Sequence, residues 1–259
     1  MMCADHQPVT IPPVGDVAIP RCAMVLAAGR GNRLRPITET LPKPLVRVRG
    51  RALIDHALDR LEEVGVETCV VNVHHLADQV RAHTARRRRP RVVISDETDA
   101  LLETGGGVRK ALPLLGDDPF FVINTDVLWL NGVRPALTRL AEAWDDARMD
   151  ALLLVLRLVG ANGYEGRGDF FVDALGRPRR RRAQEIAPFV YAGVQMLAPR
   201  LFEDTEAGSF SLNRLYTQAL DETRLWALPH DGEWYHVGTR AGLDLAEHRL
   251  GQHGPYSDQ

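Results

Sequence analysis

Lysine is almost missing from this 259-residue chain: of 32 cationic side chains only Lys43 and Lys110 are lysines, and the other 30 are arginines. Against that background a surviving ammonium marks a place to look for chemistry that needs a compact point charge. Cysteine is scarce as well. Cys3, Cys22 and Cys69 lie far apart, form no C-x-x-C pair and cannot all pair within one chain, which points to a reducing compartment and the cytoplasm. No apolar run approaches the roughly 20 residues that span a bilayer, and the most apolar stretch, Ala151 to Gly160, is interrupted by Arg157. No membrane association is expected. A signal peptide is not expected either, because Asp5, Asp16 and several prolines interrupt residues 1–20. An excess of one charge is also lacking: 34 acidic against 32 basic side chains leave −2, which is not the balance of a protein that coats nucleic acid.

What is present is a globular composition, 45% hydrophobic and 25% charged, large enough for one core. The expected organisation is a flexible N-terminal extension over residues 1–20, a single domain over 21–251 and a flexible tail over 252–259. From Cys22 onward short apolar runs (Cys22–Leu26, Thr68–Val73, Arg91–Ile94, Phe120–Asn124) alternate with helical patterns (Ala52–Val64, Leu76–His83). That order predicts an α/β fold with a mixed, mainly parallel central sheet flanked by helices. After a helix over Val133–Trp144 the pattern turns strand-rich, with runs at Ala151–Leu158, Asp169–Val172, Phe189–Leu197, Leu225–Leu228 and Trp234–Val237. Gly176-Arg177-Pro178 predicts a turn, and Leu212–Leu220 and Ala241–Leu250 predict the last helices.

The richest segment follows the first strand and reads Leu26-Ala27-Ala28-Gly29-Arg30-Gly31-Asn32-Arg33-Leu34-Arg35-Pro36-Ile37-Thr38. Small residues and two glycines let backbone amides approach a polyphosphate, and Arg33 or Arg35 can add bidentate contacts to its oxygens. The segment is neither the G-x-G-x-x-G fingerprint nor a P-loop, because the first lysine comes only at Lys43. That lysine stands in Leu41-Pro42-Lys43-Pro44-Leu45, where two prolines restrict the backbone that aims the ammonium. Further on, Leu102-Glu103-Thr104-Gly105-Gly106-Gly107-Val108 offers three glycines against which a planar base can lie, and a carboxylate, Glu103, that can accept from uracil N3–H or from the guanine edge. Phe120–Asp126 is an apolar strand ending in a carboxylate, the usual position of a ligand-facing residue in an open α/β sheet. A lone carboxylate plus triphosphate oxygens suits Mg²⁺.

These motifs, L-A-A-G-x-G-x-R-L-x-P-x-T followed by P-K-P-L, resemble the signature of the sugar-1-phosphate nucleotidyltransferases, and the similarity runs from about Ala23 to about Glu247. The wording L-E-T-G-G-G-V-x-K-A-L-P-L-L-G is most similar to the bacterial N-acetylmuramate 1-phosphate uridylyltransferases of cell-wall recycling. The resemblance implies a Rossmann-like, GT-A type fold and UTP plus a sugar 1-phosphate as substrates. It places the triphosphate on Leu26, Ala27, Ala28, Gly29 and Gly31, the base at Glu103, Thr104, Gly105 and Gly106, and the catalytic cations at Arg33 and Lys43. Asp126 matches the family's metal-binding aspartate. Its second metal carboxylate belongs in a W-x-D-V-G-T motif, which here reads Trp234-Tyr235-His236-Val237-Gly238-Thr239. A neutral imidazole at His236 suits Mn²⁺, Zn²⁺ or Co²⁺ better than the expected Mg²⁺, and three outcomes stay open: ligation of the metal, contact through water, or a site in which Asp126 and phosphates suffice. The sugar is implied at Arg167, Gly168, Asp169, Gly193 and Asn213, with Arg167 the cation offered to a lactyl carboxylate. Mannose-1-phosphate guanylylation and a non-catalytic nucleotide-sugar-binding homologue are the alternatives.

Other features read as structural. Arg86–Arg89 and Arg179–Arg182 sit between predicted elements without interleaved aromatics and read as solvated loops. The pair His74-His75 lacks metal-ligand spacing. Trp226 and Trp234 are expected to pack on the late strands, and Cys22 and Cys69 to be small core residues. Neither the oligomeric state nor a role for Lys110 can be read from the sequence.

Overall fold

The computed structural model describes residues 17–252. In chain order its first half comprises β1 (Cys22–Leu26), the hairpin β2 (Arg47–Val48) and β3 (Arg51–Ala52), α1 (Leu53–Glu63), β4 (Thr68–Val73), α2 (Ala77–Thr84), β5 (Arg91–Asp96), α3 (Glu103–Leu115) and β6 (Phe120–Asn124). The second half adds β7 (Val127–Trp129), α4 (Ala136–Ala143), β8 (Ala151–Arg157), β9 (Ala161–Asn162), β10 (Phe170–Val172), β11 (Pro178–Arg180), β12 (Phe189–Leu197), α5 (Leu212–Asp221), β13 (Leu225–Pro229), β14 (Trp234–His236) and α6 (Arg240–Gln252).

The central sheet runs β11-β10-β12-β6-β1-β4-β5, and β8 joins it between β12 and β13. Strands β4, β1 and β6 are parallel neighbours, as are β4 and β5, whereas β12 lies antiparallel to β6, β8 and β10. Strand β1 is apolar on both faces because both are covered: Ala23 and Val25 join the cluster under α1, α2 and α4, and Met24 joins the cluster under α3 and α5. Helix α1 shows why these segments dock. Leu53, Ile54, Ala57, Leu58 and Leu61 recur at helical spacing and are all buried.

Two topological features position the site. The chain leaves β1 toward β4 and β5 on one side, then crosses to β6 on the other, so a crevice opens beyond the carboxyl ends of β1 and β6. A second sheet, β7-β14-β9, sets His236 opposite Val127, and Val237 N–H donates to Asp126 O at 2.8 Å. A third apolar cluster, including Leu34, Val46, Leu128, Tyr235 and Leu243, fixes this small sheet beneath α6 and the loop after β1.

Several boundaries differ from expectation. Helix α4 begins at Ala136 rather than Val133, because Pro135 takes the cap position and Asn131 Oδ1 accepts the Ala136 amide at 3.1 Å. The glycine run lies inside α3, which starts at Glu103. The expected extension, residues 1–20, lies outside the described residues up to residue 16, but Pro20 is buried and Ile19 packs on the core. Of the expected tail, Gln252 belongs to α6 and 253–259 lie outside the described residues, as does Cys3. Cys22 and Cys69 are free thiols on β1 and β4, and burial pushes both pKa values up.

Candidate active site

The loop after β1 is shaped by one glycine that has no substitute. Gly31 has φ +66°, and a Cβ there would meet Thr38 Cγ2 at 2.8 Å and Lys43 Cβ at 3.1 Å, so the loop can pass over the lysine stem only with glycine. Thr38 Oγ1 donates to Gly31 O at 2.9 Å and closes the loop. Gly29 faces open space, and Leu26, Ala28 and Gly29 line a cavity of about 190 Å³ together with Lys43, Asn72, Leu101, Glu103, Thr104 and Asp126. Ala27 does not line it: its side chain is buried in the core, and its amide donates to Asn72 Oδ1 at 2.7 Å.

Lys43 enters from a short turn whose flanking prolines, Pro42 and Pro44, are buried. Its ammonium donates to Asp126 Oδ2 at 3.1 Å, and the Arg33 guanidinium lies 3.8 Å from the same oxygen. The lysine and aspartate side chains are 15% and 19% exposed and Arg33 is 62% exposed, so the inner cation is held and the outer one is free to move. Burial by itself would raise the Asp126 pKa. The bonded Lys43 charge, with His236 and Arg33 behind it, outweighs that and holds the carboxyl below its ordinary value. His236 Nδ1 faces Gly163 O at 3.2 Å, and its ring stacks on Trp234. A side chain at Gly238 would meet His236 Nε2 at 2.6 Å and the Arg33 guanidinium at 3.0 Å, so the two groups converge there.

A second cavity, about 420 Å³, shares Asp126 with the first and is lined by Arg33, Tyr164, Glu165, Asp169, Tyr191 and His236, among others. Gly193 also lines it and marks where β12 breaks register: its φ is +75° and a Cβ would press on Val127 and Asn124 at 3.0–3.3 Å. Asp169 is oriented by the Tyr191 amide, which donates to Oδ2 at 2.9 Å.

Not every expected residue reaches these walls. Gly105 and Gly106 are not among the residues that line the smaller cavity: their amides donate to Phe210 O at 2.8 and 3.1 Å, and a Cβ on either would strike the 208–210 segment within 2.4 Å. Glycine at both positions allows this close packing. Gly168 is buried against Ala187 O, Arg167 is exposed and outside the cavity lining, and Asn213 is taken up by Arg180, which donates to its Oδ1 and main-chain oxygen at 3.2 Å. The arginine runs are partly spent within the protein. Arg87 binds Asp59 and Glu62, Arg179 binds Glu185, and Arg181 donates to Gly168 O. His74 and His75 each bond a main-chain carbonyl, of Glu97 and Thr38, and Lys110 bonds that of Asp96. Sequence reasoning missed Asn72, Tyr164 and Glu165; the signal for Asn72 is a polar residue inside the otherwise apolar run Val70–Val73.

Residues 23–169 match the family model of the MobA-like NTP transferase domain. The N-acetylmuramate alpha-1-phosphate uridylyltransferase of Caulobacter vibrioides is 46% identical over 90% of this chain and 98% of its own length. The protein of the same name from Neisseria meningitidis serogroup B is 34% identical over 87% of this chain and 96% of its own. Among solved structures, a UDP-glucose pyrophosphorylase from Acinetobacter baumannii superposes with a TM-score of 0.76 at 18% identity, covering 92% of this chain and 95% of that one, which supports the GT-A-like α/β fold. With a domain match over more than half its length and relatives aligned nearly end to end, the chain belongs to the sugar-1-phosphate nucleotidyltransferases built on the MobA-like NTP transferase domain.

Proposed function

We propose that this enzyme joins UTP to N-acetyl-α-D-muramate 1-phosphate, forming UDP-N-acetylmuramate and pyrophosphate in the cytoplasmic recycling of cell-wall sugar. The observation that carries this reading is the pair of cavities meeting at Asp126, one walled by the glycine loop and Lys43, the other by Asp169, Gly193 and His236. The names and end-to-end similarity of the Caulobacter and Neisseria relatives support the choice of base and sugar. No helix among the described residues is long and apolar enough to cross a membrane.

A phosphate monoester is largely dianionic above a second pKa of about 6, so the sugar phosphate is already a nucleophile at neutral pH and needs no general base. One of its oxygens forms a bond to the α-phosphorus of UTP. The bond from that phosphorus to the bridging oxygen breaks, and the electron pair leaves on pyrophosphate. The chain's task is to hold two polyanions together and to spread the charge on the departing group. Lys43, which lines the smaller cavity and is bonded to Asp126 where the two meet, and Arg33, which lines the larger, carry that charge.

The residues present fit a divalent ion. His236 can donate Nδ1–H to Gly163 O and keep the Nε2 lone pair for a metal, and the Asp126 carboxyl stays ionised. No group of three or more His, Cys, Asp or Glu side chains suited to a metal occurs among the described residues, so Asp126 and His236 would hold Mg²⁺ or Mn²⁺ with phosphate oxygens and water completing the shell. When bound, the ion neutralises and orients phosphate oxygens. Replacing His236 with Asp adds an oxygen donor and a negative charge, and turnover is expected to keep or gain Mg²⁺ activity while losing preference for Mn²⁺. Superimposable Mg²⁺ and Mn²⁺ titrations of the two proteins would take His236 out of the site.

The test of the function is pyrophosphate release from UTP plus N-acetylmuramate 1-phosphate, set against GTP plus mannose 1-phosphate. Release with the first pair is expected. Release with the second pair alone would make the protein a guanylyltransferase, and release with neither pair under any divalent ion would make it a binding protein.

A further inference from the structure

A buried carboxylate that the reaction does not use sits behind the smaller cavity. Glu97, just past the end of β5, is fully buried, and Asn72 on the neighbouring strand β4 is 2% exposed. Asn72 Nδ2 donates to Glu97 Oε1 at 2.7 Å, and Asn72 Oδ1 accepts the Ala27 amide at the same distance. Glu97 Oε2 accepts the Leu102 amide at 3.2 Å. Four groups, three of them at adjacent strand ends, thus form one chain from the phosphate loop at Ala27 to the segment that opens α3. Gly107 leaves space for it, since a Cβ there would meet Glu97 Oε1 at 2.7 Å and Asn72 Nδ2 at 3.0 Å. A buried carboxylate with so few donors is costly where an apolar side chain would pack, so the arrangement needs a reason beyond packing.

We propose that Asn72 and Glu97 are a positioning pair that fixes the spacing between the phosphate loop and the Leu101–Thr104 wall, and so sets the affinity for the nucleoside triphosphate. The inference rests on the nucleotide reading of that cavity. The polarity of the chain supplies its own test. In Asn72→Asp two carboxylates face each other and must share a proton. In Glu97→Gln the new amide nitrogen must face either the Asn72 amide or the Leu102 N–H, and one bond is lost. Combining Asn72→Asp with Glu97→Gln restores every bond by exchanging the two groups. The Ala27 amide then donates to one oxygen of the carboxylate at position 72, the side-chain amide at position 97 donates to the other, and the Leu102 amide donates to the side-chain carbonyl at position 97. Shape and net charge are unchanged.

The experiment is calorimetric titration of the four proteins with UTP in the absence of sugar phosphate, with melting temperatures and KM and kcat recorded alongside. Each single variant is expected to bind UTP about tenfold more weakly or worse, with KM rising more than kcat falls, and the double variant to recover to within about threefold of the parent. Lowering the pH is expected to restore part of the affinity of Asn72→Asp and none of that of Glu97→Gln. Glu97→Gln keeps its volume and one bond and is the variant expected to fold in any case. If it binds UTP as the parent does while melting lower, the pair is merely structural and the proposal fails. It fails equally if the double variant regains its melting temperature without regaining affinity. A parent protein that binds GTP in place of UTP would overturn the reading of the base alone, and the same four proteins titrated with GTP would still decide the role of the pair.

Discussion

Lys43→Arg is expected to lower kcat by about 100-fold or more while leaving the melting temperature near that of the parent, the scale of loss seen when one donor to a developing charge is misplaced. Charge is retained in this substitution, so the loss measures geometry. The lysine stem runs beneath Gly31, whose Cα face already leaves only 3.1 Å between an added Cβ and Lys43 Cβ, and the ammonium reaches Asp126 as a single point donor. A guanidinium is wider, planar and built for paired contacts, and it does not fit the narrow passage in the same position. The chain itself speaks for the distinction. It uses arginine in 30 of 32 cationic positions yet keeps lysine here, between two buried prolines that spare the backbone some of the entropy of being fixed. Pyrophosphate release under saturating substrates gives the measurement, and parental kcat in the variant would show that any cation suffices at position 43. Lys110 does not weaken the case. Its ammonium is engaged by the Asp96 carbonyl at the end of β5, a contact that needs only a donor.

The parts of this site that the sequence disclosed are those made within a few residues. The glycine loop, the Pro-Lys-Pro turn and the carboxylate ending an apolar strand each carry their chemistry in adjacent positions, and the α/β order follows from the alternation of apolar periods. What stayed hidden depends on register between distant strands. Asn72 meets Ala27 because β1 and β4 pair in parallel with Val25 opposite Val71, and Tyr164 and Glu165 reach the larger cavity because β9, just before them, pairs with β14 across more than seventy residues. Local composition holds no trace of either pairing. The glycine run after Glu103 is legible only in part, for a related reason. Three glycines announce a close approach, but only the tertiary fold tells that the chain at 208–210 and Glu97 are groups that approach them.

The largest loss is expected from Asp126→Asn, about 1000-fold or more in kcat/KM, because one isosteric change removes the carboxylate shared by both cavities, the anchor of Lys43 and the anionic ligand proposed for a divalent ion. Stability separates this variant from Lys43→Arg. The Asp126 carboxyl is held below its ordinary pKa by Lys43, His236 and Arg33 against the opposing effect of burial. A carboxyl whose folded pKa lies below its unfolded value, near 3.9, contributes stability above that value, and the contribution fades as pH falls through the folded pKa. Asparagine cannot supply it. The variant should therefore melt lower than the parent at pH 7, by about 2–4 °C if the charged bond to Lys43 is worth about 1 kcal/mol, with the two proteins converging in acid. Melting curves at pH 7 and near pH 3 read the electrostatic contribution apart from catalysis, and a kinetic assay at rising Mg²⁺ reads the ligand. Parental turnover at any Mg²⁺ concentration would remove Asp126 from the reaction. Full activity loss with no pH-dependent difference in melting would instead show that Asp126 acts on substrate and ion without stabilising the fold, leaving the ammonium of Lys43 held by the loop alone.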